Sequence, residues 1–309
     1  MIQVGTRIPN HYEEFHMYAI MGVTGQVGRA TATHLLDAGH AVRAIVRDAA
    51  KASSWSARGA EIAVADWNDT DALTNAFHEA EGVFVMLPAN FAPAPDFSET
   101  RDLLQAMTTA LQRAKPRNVV ALSSIGAQHD RDLGLITQLH LLEQALDALP
   151  LPRAYVRAGW FMENLQWDVA PARDAGRMAS YLQPLDRAIP LIATDDIGRC
   201  IAQTLTESWS GRRVIELEGP QRYSPQDMAQ ALARACGRPV EPFLVPRDSW
   251  AARFESEGMP ADRTGPRIAM LDGFNSGWID FALANTEHRR ATTSLEHVVA
   301  ALVHHRNPS

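Results

Sequence analysis

A short apolar run, Tyr18-Ala19-Ile20-Met21, leads into Gly22, Gly25 and Gly28 at G-x-x-G-x-x-G spacing, and a helical pattern follows. This is the sequence of a strand, a tight turn and a helix, and it restricts the fold because each glycine removes a side chain that would obstruct that path. Gly22 lets the chain reverse, Gly25 lets backbone come close to a ligand, and Gly28 lets the helix pack on the strand. The helix then directs its free N–H groups and positive dipole end at whatever sits above the turn, and a pyrophosphate fits there. Glycines at this spacing also occur in plain Gly-rich turns, so the wider pattern decides.

That pattern repeats the unit. Strands are predicted at 17–22, 41–47, 60–66, 82–87, 118–124 and 153–157, and helices at 26–38, 69–80, 97–114 and 133–148. The run 82–87 is almost continuously apolar, as expected for a parallel strand buried on both faces. Strands alternating with helices give βαβ units. The fold class is α/β: a Rossmann doubly wound parallel sheet over 17–158, followed by a smaller, mostly helical C-terminal region over 159–309. In that region helices are predicted at 195–208, 225–236, 247–257 and 294–305, with a strand at 214–217, and some strands are expected to rejoin the main sheet. Asp195 or Asp196 can cap the first helix, and Ser224-Pro225 supplies a cap and a first-turn proline for the second. The region is expected to close a cleft at the carboxyl ends of the strands. Residues 1–16 are polar and read as a mobile extension.

The end of the second strand bears on the cofactor. In an NAD-binding unit a carboxylate about 20 residues beyond the glycines holds the ribose 2′-hydroxyl. Here that place is taken by Arg47, with Arg43 on the same strand face. A guanidinium suits a 2′-phosphate through bidentate contact, so NADP(H) is preferred over NAD(H). A solvated strand-end arginine is the alternative, and Asp48 could still turn toward a ribose. Asp66 ends the third strand, where it would lie beside an adenine or cap the helix 69–80, and Trp67 is placed with it. Leu87 and Pro88 should pass under the pyrophosphate and nicotinamide ribose, and Ser123 should end its strand against the cofactor.

Other function classes find little support. The net charge of −7 argues against a basic nucleic-acid face. No run approaches the ~18 apolar residues that span a bilayer, and 1–16 lacks the apolar core of a secretory signal. Cys200 and Cys236 stand far apart and read as free thiols of a reducing compartment, so a cytoplasmic protein is expected. His11, His16, His304 and His305 have no partners at metal-ligand spacing, and no metal is expected. Leu122-Ser123-Ser124-Ile125-Gly126 lacks the leading glycine of a nucleophile elbow. Arg157 needs a partner if buried, and Glu163 is the nearest candidate.

Several stretches together resemble the NmrA-like atypical short-chain dehydrogenases/reductases. They are the glycine turn, Val42-Arg43-Ala44-Ile45-Val46-Arg47, Leu122 to Ala127, the specific run Val156-Arg157-Ala158-Gly159-Trp160-Phe161-Met162-Glu163-Asn164, and Thr194-Asp195-Asp196-Ile197-Gly198. The similarity extends from about residue 17 to about 303. It implies a Rossmann domain for NADP(H) and a small C-terminal domain closing a cleft. The group holds NAD(P)H-dependent quinone reductases and also redox-sensing regulators that bind the dinucleotide without turning it over. Carried across position by position, Gly22, Thr24, Gly25, Gln26, Val27 and Gly28 would cradle the phosphates, Arg47 would hold the 2′-phosphate, and Phe161 would line the nicotinamide side.

The Tyr and Lys acid–base pair of ordinary short-chain reductases is absent, because neither residue occurs between Ser124 and Arg153. Relatives often carry a Lys or His about four residues before the glutamate that is Glu143 here, which is the place of Leu139, with His140 one step along. A one-residue shift turns a helix by about 100°, so His140 is a candidate catalytic residue only if it still reaches the cleft. Hydride transfer to a quinone or similar electron-poor carbonyl leans on positioning more than on acid catalysis. Trp160, Met162, Asn164 and Tyr181, with Trp167 nearby, either wall an apolar substrate pocket or form interdomain core. The expected activity is NADPH-dependent reduction of such an acceptor. The alternative is a non-catalytic NADP(H) sensor acting through a protein partner, and a homodimer fits either.

Overall fold

The computed structural model describes residues 16–305, so the expected extension lies outside them apart from His16. The main sheet is entirely parallel. Its first six strands in chain order are β1 (Met17–Ile20), β2 (Ala41–Val46), β3 (Glu61–Val64), β4 (Gly82–Val85), β5 (Asn118–Ser124) and β6 (Arg153–Ala158). Two strands from the second half of the chain, Arg212–Glu218 and Glu287–Arg290, complete it. In space the order is Glu287–Arg290, Arg212–Glu218, β6, β5, β4, β1, β2, β3. β1 pairs with β2 on one side and β4 on the other. The winding therefore reverses at β1, and its carboxyl end is the switch point at which such sheets bind ligands.

Both faces of the sheet are covered, which is why the strands read as apolar runs rather than alternating ones. On β1, Tyr18 and Ile20 join one buried cluster while Ala19 and Met21 join another. The first face carries α1 (Gln26–Asp37) packed against the helix Thr194–Thr206. Their approach is close: a Cβ on Gly198 would stand 2.4 Å from the Ala30 Cβ. The opposite face carries the helices Thr70–Phe77, Ser98–Ala114 and Thr137–Asp147. A third cluster, centred on Trp250, Phe254 and Leu232, fills the C-terminal region.

That region contains the helices Val169–Ala175, Pro225–Cys236, Trp250–Ser256, Gly265–Ser276 and Leu295–His305, together with a three-stranded and a two-stranded sheet. Ser224 caps Pro225–Cys236 as expected, in a capping box with Asp227. Other expectations are corrected. Neither Asp195 nor Asp196 caps Thr194–Thr206; the N-cap residue is Ala193, and the Glu163 carboxylate supplies the bonds. The helix Gly265–Ser276 was not anticipated, because it opens on Gly-Pro, which suits a first turn as well as a loop. Glu287–Arg290 was missed because Glu-His-Arg-Arg has no apolar face, which suits an edge strand.

Candidate cofactor site

The glycine turn joins β1 to α1. Gly22 adopts φ +68, and the Gly25 N–H donates to its carbonyl at 2.9 Å. A Cβ on Gly22 would stand 2.4 Å from the Met86 sulfur, and one on Gly28 would stand 2.3 Å from the Gly22 carbonyl oxygen. The fold itself therefore requires both. Gly25 is different: a Cβ there meets only the Gly22 oxygen, at 3.4 Å, an ordinary contact. Among the described residues no other atom lies within 4 Å of that Cβ.

Gly25 is also the N-cap of α1, with no side-chain cap and no acidic residue in the first turn. The helices Thr70–Phe77 and Pro225–Cys236, by contrast, have both. Thr24, Gly25 and Gln26 are exposed. An uncapped helix start with exposed N–H groups and no local anion fits a pyrophosphate.

At the end of β2, Arg47 is exposed and has no hydrogen-bond or ion-pair partner among the described residues. Its guanidinium lies 6.0 Å from the centre of the Trp67 ring. Arg43 is committed elsewhere, to Glu61 at 2.6 Å and to the carbonyls of Ala76 and His78 at 3.0 and 2.7 Å. Asp48 is occupied too, accepting from the Ala50 N–H at 2.9 Å at the start of a short 3-10 turn. Asp66 is exposed and accepts from Asn68; Asp69, not Asp66, caps the helix Thr70–Phe77. Arg47, Asp66 and Trp67 thus gather at one corner.

Beside the turn is a cavity of about 450 Å³ lined by Thr24, Arg29, Lys51, Trp55 and Arg58 among others. Arg29 reaches the Thr24 carbonyl at 3.3 Å, Arg58 is held by Thr33 and Asp37, and Lys51 has no partner among the described residues. Sequence reasoning passed over Arg29, Lys51 and Arg58. The signal available was the recurrence of basic residues in the stretch after β2.

Around the carboxyl ends of the central strands, buried Val23, Leu122 and Ala158 belong to one apolar cluster with half-buried Met86 and Phe161. Leu87 is buried and Pro88 half-buried at the end of β4. The structure therefore brings the turn, the end of β4 and Phe161 together. The residues assigned to a pocket wall divide. Met162 is fully buried and belongs to the core. Trp160 meets Phe274 edge-on at 5.1 Å, and Tyr181 packs on Trp250 and Phe254 at 5.7 and 5.2 Å. The Tyr181 hydroxyl is buried without a partner among the described residues, and burial raises its pKa. Asn164 and Trp167 are exposed.

Ser123 and His140 point elsewhere. The Ser123 hydroxyl donates to Glu143 at 2.6 Å, which places its side chain in a buried ionic network and not at the turn. Arg157 grips the same carboxylate with bonds of 2.8 and 2.6 Å and lies 3.7 Å from Glu216. Its partners are therefore Glu143 and Glu216, not Glu163. His140 Nδ1 donates to the Ala127 carbonyl at 2.9 Å. It lines a second cavity of about 280 Å³ that shares no residue with the first. Asp168, which follows Trp167, is pushed up to about 7 by burial, with Arg253 opposing. Among the described residues no three His, Cys, Asp or Glu side chains group to hold a metal, and no helix is long and apolar enough to cross a membrane.

Comparison with known proteins bears on the family and the fold. The model of the NmrA-like family matches residues 16–261. An NAD(P)H azoreductase of Xenophilus azovorans is 29% identical over 244 residues, covering 79% of this chain and 82% of that protein. Quinone oxidoreductase 2 of Escherichia coli (strain K12) is 26% identical over 248 residues, covering 79% and 83%. The triphenylmethane reductase of Citrobacter sp. superposes with a TM-score of 0.75 over 94% of this chain and 100% of that one. Its sequence identity is 19%, so this last likeness concerns the fold.

Proposed function

The chain belongs to the NmrA-like family, and from that premise we propose that it is an NADPH-dependent reductase of quinones or similarly electron-poor acceptors. The observation that carries the reading is the unpaired, exposed Arg47 at the end of β2, with Asp48 withdrawn into its own turn. Relatives named NAD(P)H azoreductase and quinone oxidoreductase support it.

When bound, the dinucleotide supplies a hydride. The chain holds and shields it. Gly22, Thr24, Gly25, Gln26, Val27 and Gly28 cradle the pyrophosphate, Arg47 takes the 2′-phosphate with Lys51 as a second cation, and Asp66 and Trp67 flank the adenine. Leu87, Pro88 and Phe161 exclude water on the nicotinamide side, and Trp160 and Tyr181 offer the acceptor an aromatic wall. The helix Thr137–Asp147 contains neither Tyr nor Lys. Its residues supply no acid–base pair, so orientation is the chain's main contribution.

The absence of that pair favours a second reading, a dinucleotide-binding regulator that acts through a protein partner. One experiment separates the two. Loss of NADPH absorbance is followed with a panel of quinones and azo compounds, with Arg47→Glu as control. Rapid loss that the variant abolishes supports the reductase. Binding of NADPH with no loss above background supports the regulator.

A further inference from the structure

The second cavity lies between the helix Thr137–Asp147, β6 and the segment 282–286 that leads into the last strand. Its carboxylates are satisfied from within. Glu143 accepts from Ser123, Arg157 and Arg212. Glu216, behind it, accepts from the N–H groups of Ala282 and Leu283 at 2.9 and 2.8 Å and from the Thr286 hydroxyl at 3.0 Å. Asp147 accepts from Arg153 at 2.7 Å and Tyr155 at 2.8 Å. Each acid therefore has an arginine within 4 Å, and the wall does not repel an anion as a bare carboxylate would.

The donors are less fully used. The Arg212 side chain is 39% exposed; it reaches Glu143 with Nη2 and Asp147 with Nε, and Nη1 has no partner among the described residues. Its guanidinium carbon lies over the Tyr155 ring, 5.0 Å from the ring centre. His140 uses its Nδ1–H on the Ala127 carbonyl and so adds no donor to the cavity. Methyl groups of Ala127, Ala282 and Ala284 make up the apolar part of the lining. A volume near 280 Å³ suits a molecule of one ring.

We propose that this cavity is a second ligand site, for a small carboxylate with a flat apolar body, gripped by the Arg212 guanidinium. It is independent of the dinucleotide reading, since the two cavities share no residue.

Benzoate is the probe, with benzamide as its uncharged counterpart, titrated into the full chain saturated with NADP⁺ and into the chain without it. Calorimetry gives the affinity, and amide NMR signals of Ala127, Ala282, Ala284 and Asn285 report the place. Benzoate is expected to bind in both states and to shift those signals, with benzamide at least tenfold weaker. Arg212→Gln should weaken benzoate at least tenfold. Ala284→Phe, at an exposed position outside the ionic network, should block it while the protein stays folded. The proposal is overturned by no binding at millimolar benzoate, by equal binding of benzamide, by displacement with NADP⁺, or by unchanged affinity in Ala284→Phe.

Discussion

Glu163 accepts two hydrogen bonds from Thr194 through a single oxygen, from the backbone N–H at 2.9 Å and from the hydroxyl at 2.7 Å. A carboxylate two residues beyond Phe161 thereby caps the helix Thr194–Thr206, which packs on α1. The segment that follows β6 and the helix beside the glycine turn are joined at this point. The other Glu163 oxygen is buried without a partner among the described residues, and burial raises the pKa of the group against the pull of the Thr194 bonds.

The cap should be measurable as stability. Thr194→Val removes one donor and is expected to cost about 1 kcal/mol, the usual net worth of a hydrogen bond. Glu163→Ala removes both acceptor contacts and should cost about 1–2 kcal/mol. Urea unfolding of the two variants checks this. A Glu163→Ala midpoint equal to that of the parent protein would remove the cap from the account.

Gly25 and Gly28 should behave differently under the same substitution. Gly28→Ala forces a methyl to within 2.3 Å of a backbone oxygen, so a large loss of folded protein is expected. Gly25→Ala meets nothing closer than 3.4 Å and should fold normally. Its methyl would occupy the phosphate space, and NADPH affinity should fall at least tenfold. Thermal unfolding and cofactor titration on the same samples separate the two outcomes.

Arg47 and Lys51 should govern the choice of cofactor. Arg47→Glu is expected to weaken NADPH by ~2–3 kcal/mol, roughly 30–150-fold, as expected for losing a charge-assisted bond to phosphate and gaining repulsion. NADH affinity should change less than threefold. Lys51→Ala should act in the same direction with about a third of the effect. Equal losses for both dinucleotides would place these residues away from the 2′-phosphate.

Asp168 predicts a pH dependence of stability. Its pKa of about 7 in the folded protein lies above the ordinary carboxylate value, so between about pH 4 and pH 7 the folded chain holds a proton that the unfolded chain has released. Stability from this group is full below that range and is lost as pH rises through 7, with a slope of at most ~1.4 kcal/mol per pH unit. Asp168→Asn should flatten the curve and exceed the parent protein in stability at pH 8. Denaturant midpoints at pH 5 and pH 8 provide the check.

Strands β1 to β6 and the four long helices between them were legible because apolar runs and turn residues repeat in register with the βαβ unit, whereas the single turn Ser53–Ser56 was not. Ser224 was legible as a cap for the same local reason. The partner of Arg157 was not, because Glu163 is near in sequence whereas Glu143 is brought in by a helix packed on the sheet face. His140 and Ser123 illustrate the same gap: each occupies a plausible position in the chain, yet one bonds the Ala127 carbonyl and the other Glu143.

By itself the sequence determined the strand–turn–helix at Gly22, Gly25 and Gly28, the parallel α/β alternation, and the presence of Arg47 where an acidic residue would select NAD. These depend on backbone sterics, side-chain periodicity and residue type over a few consecutive positions. Only the tertiary structure decided that Met162 is core, that Arg47 has no partner among the described residues while Arg43 is committed, and that Glu163 caps a helix some 31 residues away. Burial and charge pairing depend on which distant segments pack together, and spacing along the chain does not encode that contact.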